Sequence, residues 1–192
     1  MMAQQAKVVN DMQRSGTQVL QRTGQLRLGV RIELITIAWM TIEAGIAIVT
    51  GYAGIFPPEA PTPTIDQLRD EWERAIAEDG AMALVAEIGP DVVGTVHVRP
   101  DPDFPGSGQL RRLNVLPSRW GEGIGGRLHD ESLQLLTDAD FAIAGLWVLE
   151  ANGRARAMYE RRGWSLVPGA TLEWPNLGVV EVRYGRTLRT TT

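Results

Sequence analysis

Four glycines within six positions mark the stretch where this chain could do chemistry. Residues 111–128 read RRLNVLPSRWGEGIGGRL, with glycines at 121, 123, 125 and 126. An apolar-alternating run ends at Pro117, a short polar turn comes next, and the glycine loop opens into a helix. Without Cβ atoms, successive backbone N–H groups can converge on one ligand. The first helical turn adds unpaired N–H donors and the positive end of the helix dipole. Strand, glycine loop and helix start together suit a phosphate-bearing ligand.

Other chemistries are excluded or weakly supported. The chain has no cysteine, so disulfides, thiolate metal sites and a cysteine nucleophile drop out. His97 and His129 fall in different expected elements, and no metal site is expected from them. The net charge of −4 lacks the basic footprint of a nucleic-acid binder. Hydrophobic content of 44% and charged content of 22% over 192 residues describe one globular domain with an extension.

The elements that must position the loop are legible from periodicity. Thr64 starts a helix with Gln67 completing a capping box, and Ile65, Leu68, Trp72 and Ile76 share a face. Strand-like runs at 81–88 and 92–99 flank Gly89-Pro90-Asp91, a hairpin signal. A third run, 109–116, comes after the loop DPDFPGSG, long enough to face a substrate. A helix spans 124–136, with Ile124, Leu128, Leu135 and Leu136 inward, and a buried strand spans 142–150. Asn152 caps a short helix that ends at Gly163, and 164–174 with 179–188 form a final antiparallel pair.

The N-terminal part is of another kind. Residues 1–31 are polar and basic, 32–50 are apolar, and 57–63 hold four prolines that read as a stiff linker. The expected organisation is therefore an extension over 1–56, a linker over 57–63 and a domain over 64–192. The apolar run approaches the length of a membrane span, but Glu33 and Glu43 interrupt it. Residues 27–51, particularly RIELITIAWMTIEAG, weakly resemble the first transmembrane helix of cation diffusion facilitator-type proteins. The basic flank would hold residues 1–31 in the cytoplasm, and a single span would then export the chain beyond Gly54. A helix packed on the domain, on a second copy of the chain in a homodimer, or on a membrane surface is the alternative.

Gly121, Gly123 and Gly126 also spell G-x-G-x-x-G. A dinucleotide-binding fold fits poorly, because residues 117–120 separate the glycines from the strand and no repeated strand–helix crossovers come after them. LNVLPSRWGEGIGGRL instead resembles the acetyl-CoA signature of the GNAT superfamily of N-acetyltransferases. Leu113, Val115, Pro117, Gly121, Gly123, Ile124 and Gly125 fall in place, while Trp120 occupies the slot usually held by Arg or Gln, with Arg119 one residue earlier. A second family motif lies at the expected distance, in LWVLEANGRARAMYERRGW, where Asn152, Ala155, Tyr159, Glu160 and Gly163 match. The resemblance covers about residues 64–189.

It implies an α+β GNAT-like fold: a mixed, largely antiparallel sheet flanked by helices, here with an extra apolar N-terminal helix. The family's usual opening strand is missing from this reading, which leaves an open sheet edge. It further implies acetyl-CoA as co-substrate, held by Leu113, Val115, Arg119, Trp120, Gly121, Gly123, Ile124, Gly125, Gly126 and Asn152. In the family the pantetheine arm lies between two splayed strands, which would aim the Val115 N–H at the thioester carbonyl. Tyr159 is the candidate acid for the departing thiolate. The plain readings are a core tyrosine and an ordinary helix cap at Asn152.

The base stays open at this level. An amine with a pKa near about 10 must lose a proton before attack. Glu150, His97, Asp101, Asp103 or water could take it, and Glu150 closes the strand before Asn152. The acceptor is a small-molecule or peptide amine, and acidic Asp101 and Asp103 hint at a cationic one. A protein using cytosolic acetyl-CoA is expected in the cytoplasm, with membrane association left to residues 32–50. The alternative to an enzyme is a degenerate or membrane-tethered module that binds acetyl-CoA without turnover.

Overall fold

The capping box expected at Thr64 forms. In the computed structural model, which describes residues 19–21, 26–29, 52 and 54–188, helix α1 spans Ile65–Ala77. Thr64 Oγ1 accepts from the Gln67 N–H at 3.2 Å, and Gln67 Oε1 accepts from the Thr64 N–H at 2.8 Å. Such a cap is worth about 1 kcal/mol. Leu68, Trp72 and Ala75 are buried, but Ile65 is 56% exposed. The apolar cluster below α1 is Ala83, Val85 and Val92, which meets Trp72 and Ile76 and leaves the first turn uncovered.

The strands are β1 (Val19–Gln21), β2 (Leu26–Gly29), β3 (Met82–Ile88), β4 (Asp91–Pro100), β5 (Gly108–Val115), β6 (Ile143–Leu149), β7 (Ser165–Trp174) and β8 (Val179–Thr187). They form one sheet in the order β1-β2-β3-β4-β5-β6-β8-β7. Every pairing is antiparallel except β5 with β6. The open edge expected at β3 is corrected here: β2 pairs along it from Leu26↔Ile88 to Gly29↔Val85. Val19-Leu20 and Leu26-x-Leu28 carry enough alternation for strands, yet the basic residues around them gave the stretch the composition of a tail.

Helices α2 (Ile124–Asp138) and α3 (Gly153–Arg161) cover the face opposite α1. Leu128, Leu133, Leu136, Tyr159 and Trp164 meet Val96, Val98, Leu110 and Leu146 there. Leu133 joins the expected inward residues, and Leu135 packs half-buried at the edge of the same cluster. His129, fully buried in α2, accepts from Trp164 Nε1 at its Nε2 (2.8 Å). Its Nδ1 therefore carries the proton and donates to Asp130 Oδ1 at 2.8 Å. Burial lowers its pKa, so the neutral ring is a structural link between α2 and the start of β7.

The feature that opens the sheet is in β5. Thr95 pairs with Asn114 but His97 pairs with Arg111, so β5 carries one extra residue at this point. Arg112 absorbs it with φ 53°, a left-handed conformation that L side chains rarely take. Helix α1 holds it: Arg112 Nη1 donates to Glu71 Oε2 at 3.1 Å, and the guanidinium lies 5.3 Å from the Trp72 ring centroid. Beyond the pairs Gly108↔Ala144 and Gln109↔Gly145, β5 and β6 no longer pair.

Among the described residues no helix is long and apolar enough to cross a membrane. The apolar segment 32–50, with its transporter-like sequence, lies outside the described residues.

Candidate active site

Where β5 and β6 part, a cleft of about 570 Å³ opens, lined from one side by Leu68, Glu71 and Trp72 of α1 and from the other by Asn152, Ala155 and Tyr159 at α3. Leu113, Asn152 and Tyr159 from the sequence-derived set line it. The ladder shows how the backbone faces this gap. Leu116 donates to the Val93 carbonyl, so the N–H and C=O of Val115, one residue earlier, point away from β4 and toward the gap.

At the far end of β5 a short 3₁₀ turn, Pro117–Arg119, leads into the glycine loop. Gly121 and Gly123 adopt φ 89° and 79°, which explains the residue type at both positions. Gly123 caps α2 with no side-chain hydrogen bond, and the first helical bond runs from the Arg127 N–H to the Gly123 carbonyl. The N–H groups of Ile124, Gly125 and Gly126 are thus left without intrahelical partners. They form a donor cluster suited to an anion at the helix start. Arg162 packs directly on Gly126, where a Cβ would collide with the guanidinium. The same arginine donates to Asp130 at 2.7 Å.

Trp120 turns back from this loop. Its Nε1 donates to the Val115 carbonyl at 2.8 Å, and Arg154 of α3 stacks 3.6 Å from the indole centroid. The indole thereby links the end of β5 to the first turn of α3, across the opening between the splayed strands. Arg119 lies in the preceding turn and pairs loosely with Glu122 at 3.6 Å.

Tyr159 is 7% exposed and lines the cleft. No protein group among the described residues receives its hydroxyl. Burial, reinforced by nearby Tyr52, raises its pKa, which keeps the phenol protonated. Asn152 Oδ1 accepts from the Ala155 N–H at 3.1 Å, the ordinary cap, while the residue also borders the cleft.

The acid–base candidates separate clearly. Glu150 is exposed in the turn after β6 and does not line the cleft. His97 is fully buried under α1, its Nε2 bonded to the Ala75 carbonyl at 2.9 Å, and burial pushes its pKa down to about 4. Asp101 is consumed by a buried ion pair with Arg183 at 2.5 Å. Asp103 borders the cleft but is itself exposed.

Among the cleft residues that escaped the sequence reading are Tyr52, Arg111 and Glu181. Burial raises the Glu181 pKa, against the opposing effects of a hydrogen bond from Trp174 and the charge of Arg111. Burial, then the Glu181 charge, raises that of Tyr52. A signal for Glu181 existed in Val180-Glu181-Val182-Arg183, a strand with one charged face. Its weight depends on β8 lying inside the sheet, between β6 and β7, which chain order hides.

Comparison with known proteins agrees with this arrangement. The chain is 30% identical over 115 residues to a probable N-acetyltransferase of Mycobacterium tuberculosis, covering 60% of this chain and 64% of the relative. It is 35% identical over 95 residues to an uncharacterized N-acetyltransferase of Archaeoglobus fulgidus, covering 46% and 62%. The chain thus spans a little under two thirds of the length of these curated relatives. In fold it is similar to the PaiA N-acetyltransferase of Thermoplasma acidophilum, solved in complex with coenzyme A. That likeness has a TM-score of 0.64 at 15% identity and covers 83% of this chain and 98% of the other. Residues 47–164 match the Acetyltransferase (GNAT) family model. The match takes in more than half of the sequence, and the protein belongs to the GNAT acetyltransferase family.

Proposed function

We propose that the protein is an N-acetyltransferase that binds acetyl-CoA between β5 and β6 and passes the acetyl group directly to a primary amine. The observation that carries this reading is the parting of β5 from β6 next to an uncapped glycine helix start. An extended amide-bearing arm fits a slot edged by the Val115 N–H and C=O. A pyrophosphate fits the free N–H groups of Ile124, Gly125 and Gly126. Gly121 and Gly123 give it access, because nothing lies within 4 Å of where their Cβ atoms would be. Leu113 and Asn152 border the arm, and Arg119 and Trp120 border the loop.

The reaction can be derived from these positions. The amine nitrogen attacks the thioester carbonyl carbon, a C–N bond forms, and the C–S bond breaks. The Val115 N–H, facing the gap, stabilises charge growing on the carbonyl oxygen. The departing sulfur takes its proton from the Tyr159 hydroxyl, which has no competing protein acceptor among the described residues, and the proton the nitrogen loses on becoming an amide restores the phenol through solvent. A phenol with a raised pKa does not ionise beforehand, so it acts by donating as charge builds on sulfur. Glu150 lies outside the cleft, so we leave it out of the proton path.

The reading is tested by titrating acetyl-CoA into the full chain in a calorimeter and then assaying CoA thiol release with an amine panel. Saturable binding and amine-dependent release are expected. Folded protein without binding overturns the reading, and binding without release leaves an acetyl-CoA-binding module.

A further inference from the structure

The acceptor side of the cleft carries two opposite charges that the fold leaves under-used. Three arginines line it: Arg99, Arg111 and Arg112. Arg99 is committed, donating to Glu78 at 2.6 Å and to Gln109 at 2.9 Å. Arg112 is committed to Glu71. Arg111 makes no hydrogen bond among the described residues, and its nearest carboxylate is Glu78 Oε1 at 3.9 Å, on a side chain already held by Arg99. It sits among cations: burial and the charges of Arg99 and Arg112 all work against its protonated form. A bound anion beside it would relieve that repulsion.

Across β6, on β8, stands Glu181. One carboxylate oxygen accepts from Trp174 Nε1 at 3.1 Å, and the other has no partner among the described residues. A half-buried carboxylate with a free oxygen favours an ammonium partner. Arg111 and Glu181 line the same cleft on opposite sides of the β6 residues Trp147 and Leu149, within mutual electrostatic range but without an ion pair between them.

We infer that the acceptor is an amino acid or a close relative, whose ammonium group binds Glu181 and whose carboxylate binds Arg111. The inference rests on the acetyltransferase reading above. Glu181 first takes one proton from the ammonium, which frees the lone pair that forms the C–N bond to the acetyl carbon, and that proton then leaves to solvent. As the C–S bond breaks, Tyr159 protonates the departing sulfur, and the second proton lost from the nitrogen returns through solvent to restore the phenol. Of Asp101 and Asp103, which from sequence hinted at a cationic acceptor, only Asp103 borders the cleft, and its side chain is exposed to solvent there. Asp101 is neutralised by Arg183, and the uncommitted arginine faces the cleft instead.

The test compares amino acids covering the main side-chain classes with their C-terminal amides, which keep the amine and lose the carboxylate. At least one acid is expected to exceed its amide in kcat/KM by about 30-fold, the effect of removing one partner of a buried charge pair. Arg111→Gln should collapse that ratio toward one, chiefly by raising KM for the acid, and Arg111→Lys should restore part of it. Glu181→Gln should lower kcat for acid and amide alike and remove the acidic limb of the pH–rate profile. Amides used as well as acids, or Arg111→Gln lowering both equally, overturns the inference. Acetyl-CoA binding with no acetylation of any amino acid overturns it too, while leaving the cofactor site standing. Loss of acetyl-CoA binding itself would overturn the parent reading.

Discussion

Trp120 and Val115 are joined by a 2.8 Å hydrogen bond from the indole Nε1 to a carbonyl that points into the gap between β5 and β6. The indole holds the acceptor that an amide of the pantetheine arm would use, and Arg154 stacked on its face steadies it there. Ligand binding along this edge must displace the contact. Trp120→Phe keeps an aromatic face for Arg154 and removes the donor. One hydrogen bond contributes about 0.5–1.5 kcal/mol net, so acetyl-CoA should bind about 2- to 10-fold more tightly to the variant by calorimetry. Weaker binding would place the indole against the bound ligand instead.

Tyr159 is expected to act on the leaving group and not on affinity. Tyr159→Phe should lower kcat by about 10²- to 10⁴-fold, the usual range for a general acid, with acetyl-CoA affinity nearly unchanged. The buried ring also packs against Trp164 and His129, with centroids 6.0 and 6.4 Å away. Phe preserves that packing, so thermal unfolding should shift little. A rate equal to the parent protein's would return Tyr159 to a purely structural role.

His97 makes stability depend on pH in one direction. Its pKa is about 4 in the fold, against 6.5 for an unperturbed histidine, chiefly because burial disfavours the charged ring. Between these values the unfolded chain binds a proton that the folded chain does not. Stability is therefore fully present above about pH 6.5 and falls as pH drops toward 4, by about 3 kcal/mol in all. Urea unfolding across this range measures it. His97→Gln should start less stable and show a flatter profile between pH 6.5 and 4.

Arg112 carries strain that its side chain helps to hold. Arg112→Ala keeps the left-handed backbone and loses both the Glu71 bond and the Trp72 contact, so it should destabilise by about 1–3 kcal/mol. Arg112→Gly loses the same contacts but relieves the conformation, and should cost less. Denaturant melts of the two variants give the difference. Glycine faring as badly as alanine would show that the bulge is not strained.

What the sequence determined by itself was local. The Thr64–Gln67 cap, the strand runs, the glycine loop and the Asn152 cap each depend on residues within a few positions of one another, and each formed where composition and spacing put it. The family resemblance rested on two such local motifs. The tertiary structure decided whatever depends on neighbours distant in the chain. It moved residues 19–21 and 26–29 from tail to sheet edge, because edge pairing uses backbone groups that any composition supplies. It opened β5 at Arg112, a residue type with no preference for that conformation, and held it with groups some 40 positions away. It buried His97 and Asp101, left Glu150 outside, and brought Arg111 and Glu181 to one cleft. Charge becomes chemistry only when burial and partners are fixed, and those are set by packing between elements.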